Sequence, residues 1–146
     1  MMQLDTRSFD EHIRDLCAAD PRFSRETYEF CYEVLDFTMK TLAQSDEAPQ
    51  RLPVTRHISA AELLDGLRDY ALQEFGPMAR LTLKRMGVAS CGDVGDVVFN
   101  LVNAGLLGKQ PRDRREDFNA GYDFETAFSK PFRPASTRKQ NKRNTP

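Results

Sequence analysis

Metal binding or nucleophilic catalysis in this chain would have to draw on two histidines and three cysteines: His12, His57, Cys17, Cys31 and Cys91. A zinc-type site needs three or four convergent ligands, usually announced by short spacings such as Cys-x-x-Cys. These five residues are scattered and show no such spacing, so no metal is expected. His57 falls in a proline-flanked linker and reads as a solvated side chain. A cysteine nucleophile needs a neighbour that stabilises its thiolate. Cys91, just before an expected helix start, is the one candidate, and a small side chain filling space beside Gly92 is the simpler reading. Gly105-Leu-Leu-Gly108-Lys109 resembles a phosphate loop, but a P-loop has four residues between its glycines and follows a strand, not a helix. No Gly-x-Ser-x-Gly elbow is present. Glu116, Asp117 and Asp123 stand beside Arg112, Arg114 and Arg115, a set that suits a polar or cation site. A solvated, ion-paired loop explains the same run more economically, because exposed pairs are common and worth little. No catalytic, cofactor-binding or metal residue is assigned, and no cofactor is expected.

Charge gives a clearer direction. The formal net charge is −1, but Arg133, Arg138, Lys139, Lys142 and Arg143 lie in a C-terminal stretch without a single carboxylate. The preceding 132 residues hold 16 basic against 22 acidic side chains, a charge of −6. An acidic body with a basic tail is not the profile of a globular nucleic-acid binder. The five tail cations read by default as an inert solubilising end, and alternatively as polyanion contacts, for which weak RNA association is the simplest use. Residues 133–146 have almost no apolar side chains, so nothing in them offsets the entropy of ordering, and a disordered basic tail is expected. No apolar run approaches the ~18 residues of a membrane span. The opening Met-Met-Gln-Leu-Asp-Thr-Arg has no apolar signal region, which points to the cytoplasm.

The remaining patterning is helical. Ser8 with Glu11 has capping-box spacing and opens a helix to Ala19 with Phe9, Ile13, Leu16 and Cys17 on its apolar face. Asp20-Pro21 ends it. Ser24 to Gln44 reads as the longest helix, with Glu26, Glu29, Glu33, Asp36 and Lys40 on one polar stripe. Its apolar arc is wide, which suits a central helix or one shared with a partner, and Tyr28, Tyr32 and Met39 become candidate protein-interface residues, including for a homodimer. Residues 45–58 read as a linker. Ser59-Ala-Ala-Glu62 is a capping box leading into Leu63, Leu64, Leu67, Tyr70, Ala71 and Phe75. Gly76 closes that helix, Pro77 fits the start of the next, whose apolar face is Met78, Leu81, Thr82 and Met86, and Gly87 ends it.

Asp93–Ala104 follows as the fifth helix, with an apolar stripe of Val94, Val97, Val98, Leu101 and Val102. Its capping residue is expected to be Gly92 or Asp93, and Gly105 is placed to end it in a Schellman turn. Phe118, Tyr122, Phe124 and Phe128 lie in the polar segment beyond and are expected to fold back over the preceding helices. The expected architecture is mainly α, a five-helix single domain over 1–132, divided into a hairpin at 8–44, the linker, and three helices with the aromatic segment at 59–132. The C-terminal half has a winged-helix-like outline, with a two-stranded wing at Asn119-Ala-Gly121. In that outline Asp93–Ala104 occupies the recognition-helix position, yet it offers Asp93, Asp96, Asn100 and Asn103 and no Lys or Arg. A helix that enters a major groove brings cations to phosphates and base edges, so DNA binding does not follow.

Asp20-Pro-Arg-Phe23, Tyr28-Glu-Phe30, Phe75-Gly-Pro77, Val98-Phe-Asn-Leu-Val102, Gly105-Leu-Leu107, Arg115-Glu-Asp-Phe118 and Gly121-Tyr-Asp-Phe124 together support a family resemblance. The chain resembles an uncharacterised bacterial protein family known mainly from planctomycetes and verrucomicrobia, over about residues 8–132. The resemblance implies a bacterial, cytoplasmic, single-domain protein and carries no catalytic residue, since the family has no assigned activity. Two functions fit the sequence. One is a non-enzymatic helical interaction module for a protein or ribonucleoprotein. The other is a small-molecule-binding or catalytic domain whose residues show no motif.

Overall fold

A computed structural model describes residues 8–45, 58–108 and 114–132. The basic tail, and the linker apart from its ends, lie outside the described residues. Five α-helices follow in order: α1 Phe9–Ala19, α2 Arg25–Ser45, α3 Ala60–Phe75, α4 Ala79–Arg85 and α5 Cys91–Asn103. They pack around one core as a single, mainly helical domain. None of the described helices is long and apolar enough to cross a membrane.

The starts of α1, α3 and α5 each follow from a side chain that satisfies an otherwise orphaned backbone N–H. Ser8 accepts from the Glu11 amide at 3.2 Å and opens α1. At α3 the capping box is complete: Ser59 Oγ accepts from the Glu62 amide at 3.1 Å, and Glu62 accepts from the Ser59 amide at 3.0 Å. The cap of α5 corrects the sequence reading. Ser90, not Gly92 or Asp93, is the N-cap, and it accepts from the Asp93 amide at 3.2 Å. Asp93 in turn accepts from the Ala89 amide at 2.9 Å. Ser-x-x-Asp satisfies two donors where Gly92 or Asp93 as cap would satisfy fewer, so the helix begins two residues early and takes Cys91 into its first turn.

Helix ends use glycine. Gly105 has φ 78°, its amide reaches Val102 O at 3.0 Å, and the Leu106 amide reaches Leu101 O at 2.9 Å, the paired bonds of a Schellman turn. Gly87 repeats the arrangement, with its amide on Lys84 O at 3.0 Å and that of Val88 on Leu83 O at 2.9 Å. Gly87 also has a tertiary duty: a Cβ there would stand 2.1 Å from Arg22 O, so the α1–α2 connection rests directly on this turn.

Helix α2 is the central element. It packs against α1, α3 and α5 and buries Tyr28, Phe30, Cys31 and Val34. Its four-carboxylate stripe, Glu26, Glu29, Glu33 and Asp36, stays exposed. The two buried threonines of α2 are satisfied, Thr27 donating to Met86 O and Thr38 to Val34 O, each at 2.7 Å. Thr38 packs against Gly66 of α3, where a Cβ would stand 1.9 Å from its Oγ1.

The aromatic segment covers the other side of the core. Phe118, Phe124 and Phe128 are buried, and Phe124 and Phe128 meet edge to face with centroids 4.9 Å apart. Phe118 packs against α5 at Gly95, where a side chain would collide with its ring. The wing expected at Asn119-Ala-Gly121 does not form. Those residues make a turn between a 3₁₀ turn, Arg115–Phe118, and a π-helical turn, Glu125–Ser129, and no strand occurs among the described residues. The physical reason is that the aromatic rings are used to cap the core, which leaves no paired extended backbone.

Candidate functional site

The polar face of α5 is where the sequence places Asp93, Asp96, Asn100 and Asn103. Asp96 accepts from Arg22 Nη1 at 3.1 Å on one side and from Arg115 Nε on the other. Arg22 is also held in a fork by Asp20, Nε to Oδ1 at 2.9 Å and Nη2 to Oδ2 at 2.8 Å. Asn100 donates to Asp20 Oδ2 at 3.1 Å and to the Tyr28 hydroxyl at 3.2 Å. Arg115 Nη1 donates to Asn119 Oδ1 at 2.7 Å. One network therefore ties the α1–α2 connection, the start of α2, α5 and the 3₁₀ turn together. Hydrogen bonding from Arg22 holds the Asp20 carboxyl far below the ordinary carboxylate range. Burial works against ionisation of Asp96, but the bonds from Arg115 and Arg22 outweigh it, and its pKa is lowered too. Asp96 and Asn100 are thus engaged within the chain and are not displayed for a groove of nucleic acid.

The remaining sequence candidates scatter. Glu116, Asp117 and Asp123 do not converge on a cation site. Asp117 accepts from the Arg114 amide at 3.2 Å, and Asp123 accepts from the Thr126 amide at 3.0 Å, so both act as local caps, while Arg112 lies outside the described residues. Among the described residues no group of three His, Cys, Asp or Glu side chains is arranged to hold a metal ion. Cys91 is buried in the first turn of α5, beneath Gly121, and its thiol donates to Tyr122 O at 3.3 Å. Burial raises its pKa, and burial pushes Cys31 up to about 12, so both favour the thiol. A void of about 20 Å³ between α2, α3 and α5, lined by Phe30, Val34, Leu63, Leu67 and Val97 among others, has room for one water-sized body and is apolar.

The interface candidates on α2 separate. Tyr28 is 0% exposed, so it presents no surface to a partner, and that expectation is corrected: its ring lies edge-on against Phe23, and its hydroxyl meets Asn100. Tyr32 is half-buried, with its hydroxyl donating to Leu106 O at 3.0 Å and its ring against Phe9. Met39 is half-buried. The polyanion candidates Arg133, Arg138, Lys139, Lys142 and Arg143 all lie outside the described residues.

On α4 the expected apolar face is corrected, because only Met86 of Met78, Leu81, Thr82 and Met86 is buried. Ala79 and Leu83 point into the core, which turns Leu81 and the preceding Met78 outward, 43% and 52% exposed. Arg80, Lys84 and Arg85 are exposed around them. Among the described residues no carboxylate stands within ion-pair distance of these three cations. Pro77, Arg80, Leu81, Lys84 and Ala89 line a groove of about 410 Å³. Arg80 approaches Ser129 Oγ at 3.5 Å, which brings the C-terminal turns ending at Phe132 to the same side. A signal was present: Phe75 to Gly92 holds three cations and no carboxylate, within a body of charge −6. The spacing of Met78, Leu81, Thr82 and Met86 fits a buried stripe, and only the packing of Ala79 and Leu83 into the core shows that Met78 and Leu81 face outward. No protein-family model, curated protein or solved structure matches this chain.

Proposed function

We propose that the chain is a non-enzymatic helical interaction module that binds a protein or a ribonucleoprotein. The observation that carries this reading is the α4 face, where Met78 and Leu81 stand exposed among three cations with no carboxylate partner among the described residues. Exposed apolar side chains are ordinary one by one, but a methionine and a leucine ringed by arginine and lysine have the composition of a recognition surface. The self-satisfied network at Asp96 supports the same reading, since it commits Asp20, Arg22, Asp96 and Arg115 to holding elements together. The resemblance to the planctomycete and verrucomicrobial family is part of this proposal and brings no activity with it.

A photo-crosslinking amino acid placed at Leu81 in native cells tests the reading, with Glu29 on the exposed stripe of α2 as the control position. Discrete adducts at 81 and none at 29 are expected. Equal labelling at both positions, or none at 81, overturns the proposal.

A further inference from the structure

We infer that the α4 groove takes an acidic amphipathic segment of a partner protein, with one apolar side chain seated on Leu81 and carboxylates laid over Arg80 and Lys84. This inference rests on the interaction-module reading and adds the class of partner. Three observations carry it. The groove is mixed, with Pro77, Leu81 and Ala89 giving apolar contact and Arg80 and Lys84 giving charge on its walls. Its cations are unspent, since no described carboxylate pairs with Arg80, Lys84 or Arg85. The rest of the body is acidic, and α2 alone exposes Glu26, Glu29, Glu33 and Asp36.

The last point separates a short acidic segment from an extended polyanion. A nucleic acid is opposed by the charge of −6 that residues 1–132 carry, and the longer the polyanion the more affinity this costs at ordinary ionic strength. An amphipathic helix, by contrast, lays an apolar stripe in a groove and reads flanking charge with its polar edges. Such a segment needs only one or two turns over α4, which itself is seven residues long. Charge here mainly sets specificity and encounter rate, while the apolar anchor sets how long the complex lasts.

The test is a phage-displayed library of random peptides panned on the full chain. Enriched peptides should carry Asp and Glu interspersed with apolar residues at helical spacing. Measured by fluorescence anisotropy, their affinity should fall at least ~10-fold with Leu81→Asp, and by a similar factor with Arg80→Glu combined with Lys84→Glu. All three positions are exposed, and unchanged circular dichroism melting of the variants shows that the fold is intact. A single-stranded RNA oligomer, assayed in parallel, should show no dependence on Arg80 or Lys84. Enrichment of neutral or basic peptides, acidic peptides that bind the variants equally well, or RNA binding that needs Arg80 and Lys84 overturns the inference. Failure of crosslinking at 81 removes the interaction reading as a whole. Crosslinking at 81 without acidic peptides removes only the partner class.

Discussion

Replacing Asp96 with Asn keeps the shape of the side chain and removes its charge, which makes it the cleanest probe of the network that joins four parts of the chain. Asp96 makes one bond to Arg22 and one to Arg115. A well-buried bond to a charged group contributes about 1.5–3 kcal/mol, and an exposed ion pair about 0.2–1 kcal/mol. Asp96 is 26% exposed, Arg115 32% and Arg22 54%, so both bonds fall toward the screened end. Together they should be worth about 1–2 kcal/mol, or a fall in Tm of roughly 4–8 °C for a domain of this size. The loss should also be unequal. Arg22 keeps its fork on Asp20, whereas Arg115 keeps only Asn119. A double-mutant cycle should therefore give ~1 kcal/mol of coupling between Asp96 and Arg115, and less than ~0.5 kcal/mol between Asp96 and Arg22. Acid sharpens the test. The folded pKa values of Asp20 and Asp96 are lowered, so the unfolded chain binds more protons as pH falls. Their contribution is complete above the unfolded value near pH ~4 and is lost as pH drops through the lower folded values. The Tm gap between wild type and Asp96→Asn should then be widest near neutrality and narrow at pH ~3. Asp36→Asn, which disturbs only the exposed pair with Lys40, is the control. If Asp96→Asn costs no more than this control, or the gap widens in acid, the network does not hold the elements together.

Four further outcomes follow from the packing. Phe124→Ala should cost about 3–5 kcal/mol by urea unfolding, because the ring is buried against Tyr122 and Phe128, and an unchanged midpoint would remove the aromatic cap from the core. Gly87→Ala should cost at least about 2 kcal/mol, since φ is 87° and the new Cβ would meet Arg22 O at 2.1 Å, and a neutral result would mean that the α1–α2 connection is free to shift. Leu81→Ala should change stability by less than about 0.5 kcal/mol, because the side chain lies outside the core, and a larger loss would mark Leu81 as structural. Deleting residues 133–146 should leave the melting curve unchanged and abolish any low-salt co-sedimentation with ribosomes, whereas a truncated chain that still co-sediments places the contact in the body.

The helices were legible because their signals are local. A capping pair, an apolar stripe and a closing glycine all fall within a few residues, and they located α1, α2, α3 and the end of α5 closely. The aromatic segment was legible for a related reason, since large rings in a polar stretch have nowhere to go but a core. What failed depends on distance in space. Tyr28 and Tyr32 share an apolar arc in the sequence, but whether such a residue faces a neighbouring helix or a partner is decided by Asn100 and Phe23 in one case and by Leu106 in the other. The wing failed because short aromatic segments with a glycine turn suit either paired strands or stacked helical turns, and only the position of α5 chooses between them.

Asp96 and Lys84 show why sequence composition misplaced the site. Both are charged residues on amphipathic helices, and their own sequence neighbourhoods give no reason to treat them differently. Asp96 is matched by Arg22 and Arg115, one 74 residues before it and the other 19 after it, and the three close on one another when α5 docks. Lys84 has no described counter-charge. A charge that folding pairs is already committed, and recruiting it to a ligand would first require breaking that pair. A charge that folding leaves solvated can be matched by a partner at little cost beyond its hydration and side-chain ordering. The surface available for recognition is therefore found by subtracting the paired charges from the exposed ones. In this chain the subtraction removes Asp96 and its two arginines; it leaves Arg80, Lys84 and Arg85 on α4 but also Arg14, Arg114 and Lys130, and the exposed Met78 and Leu81 are what set α4 apart.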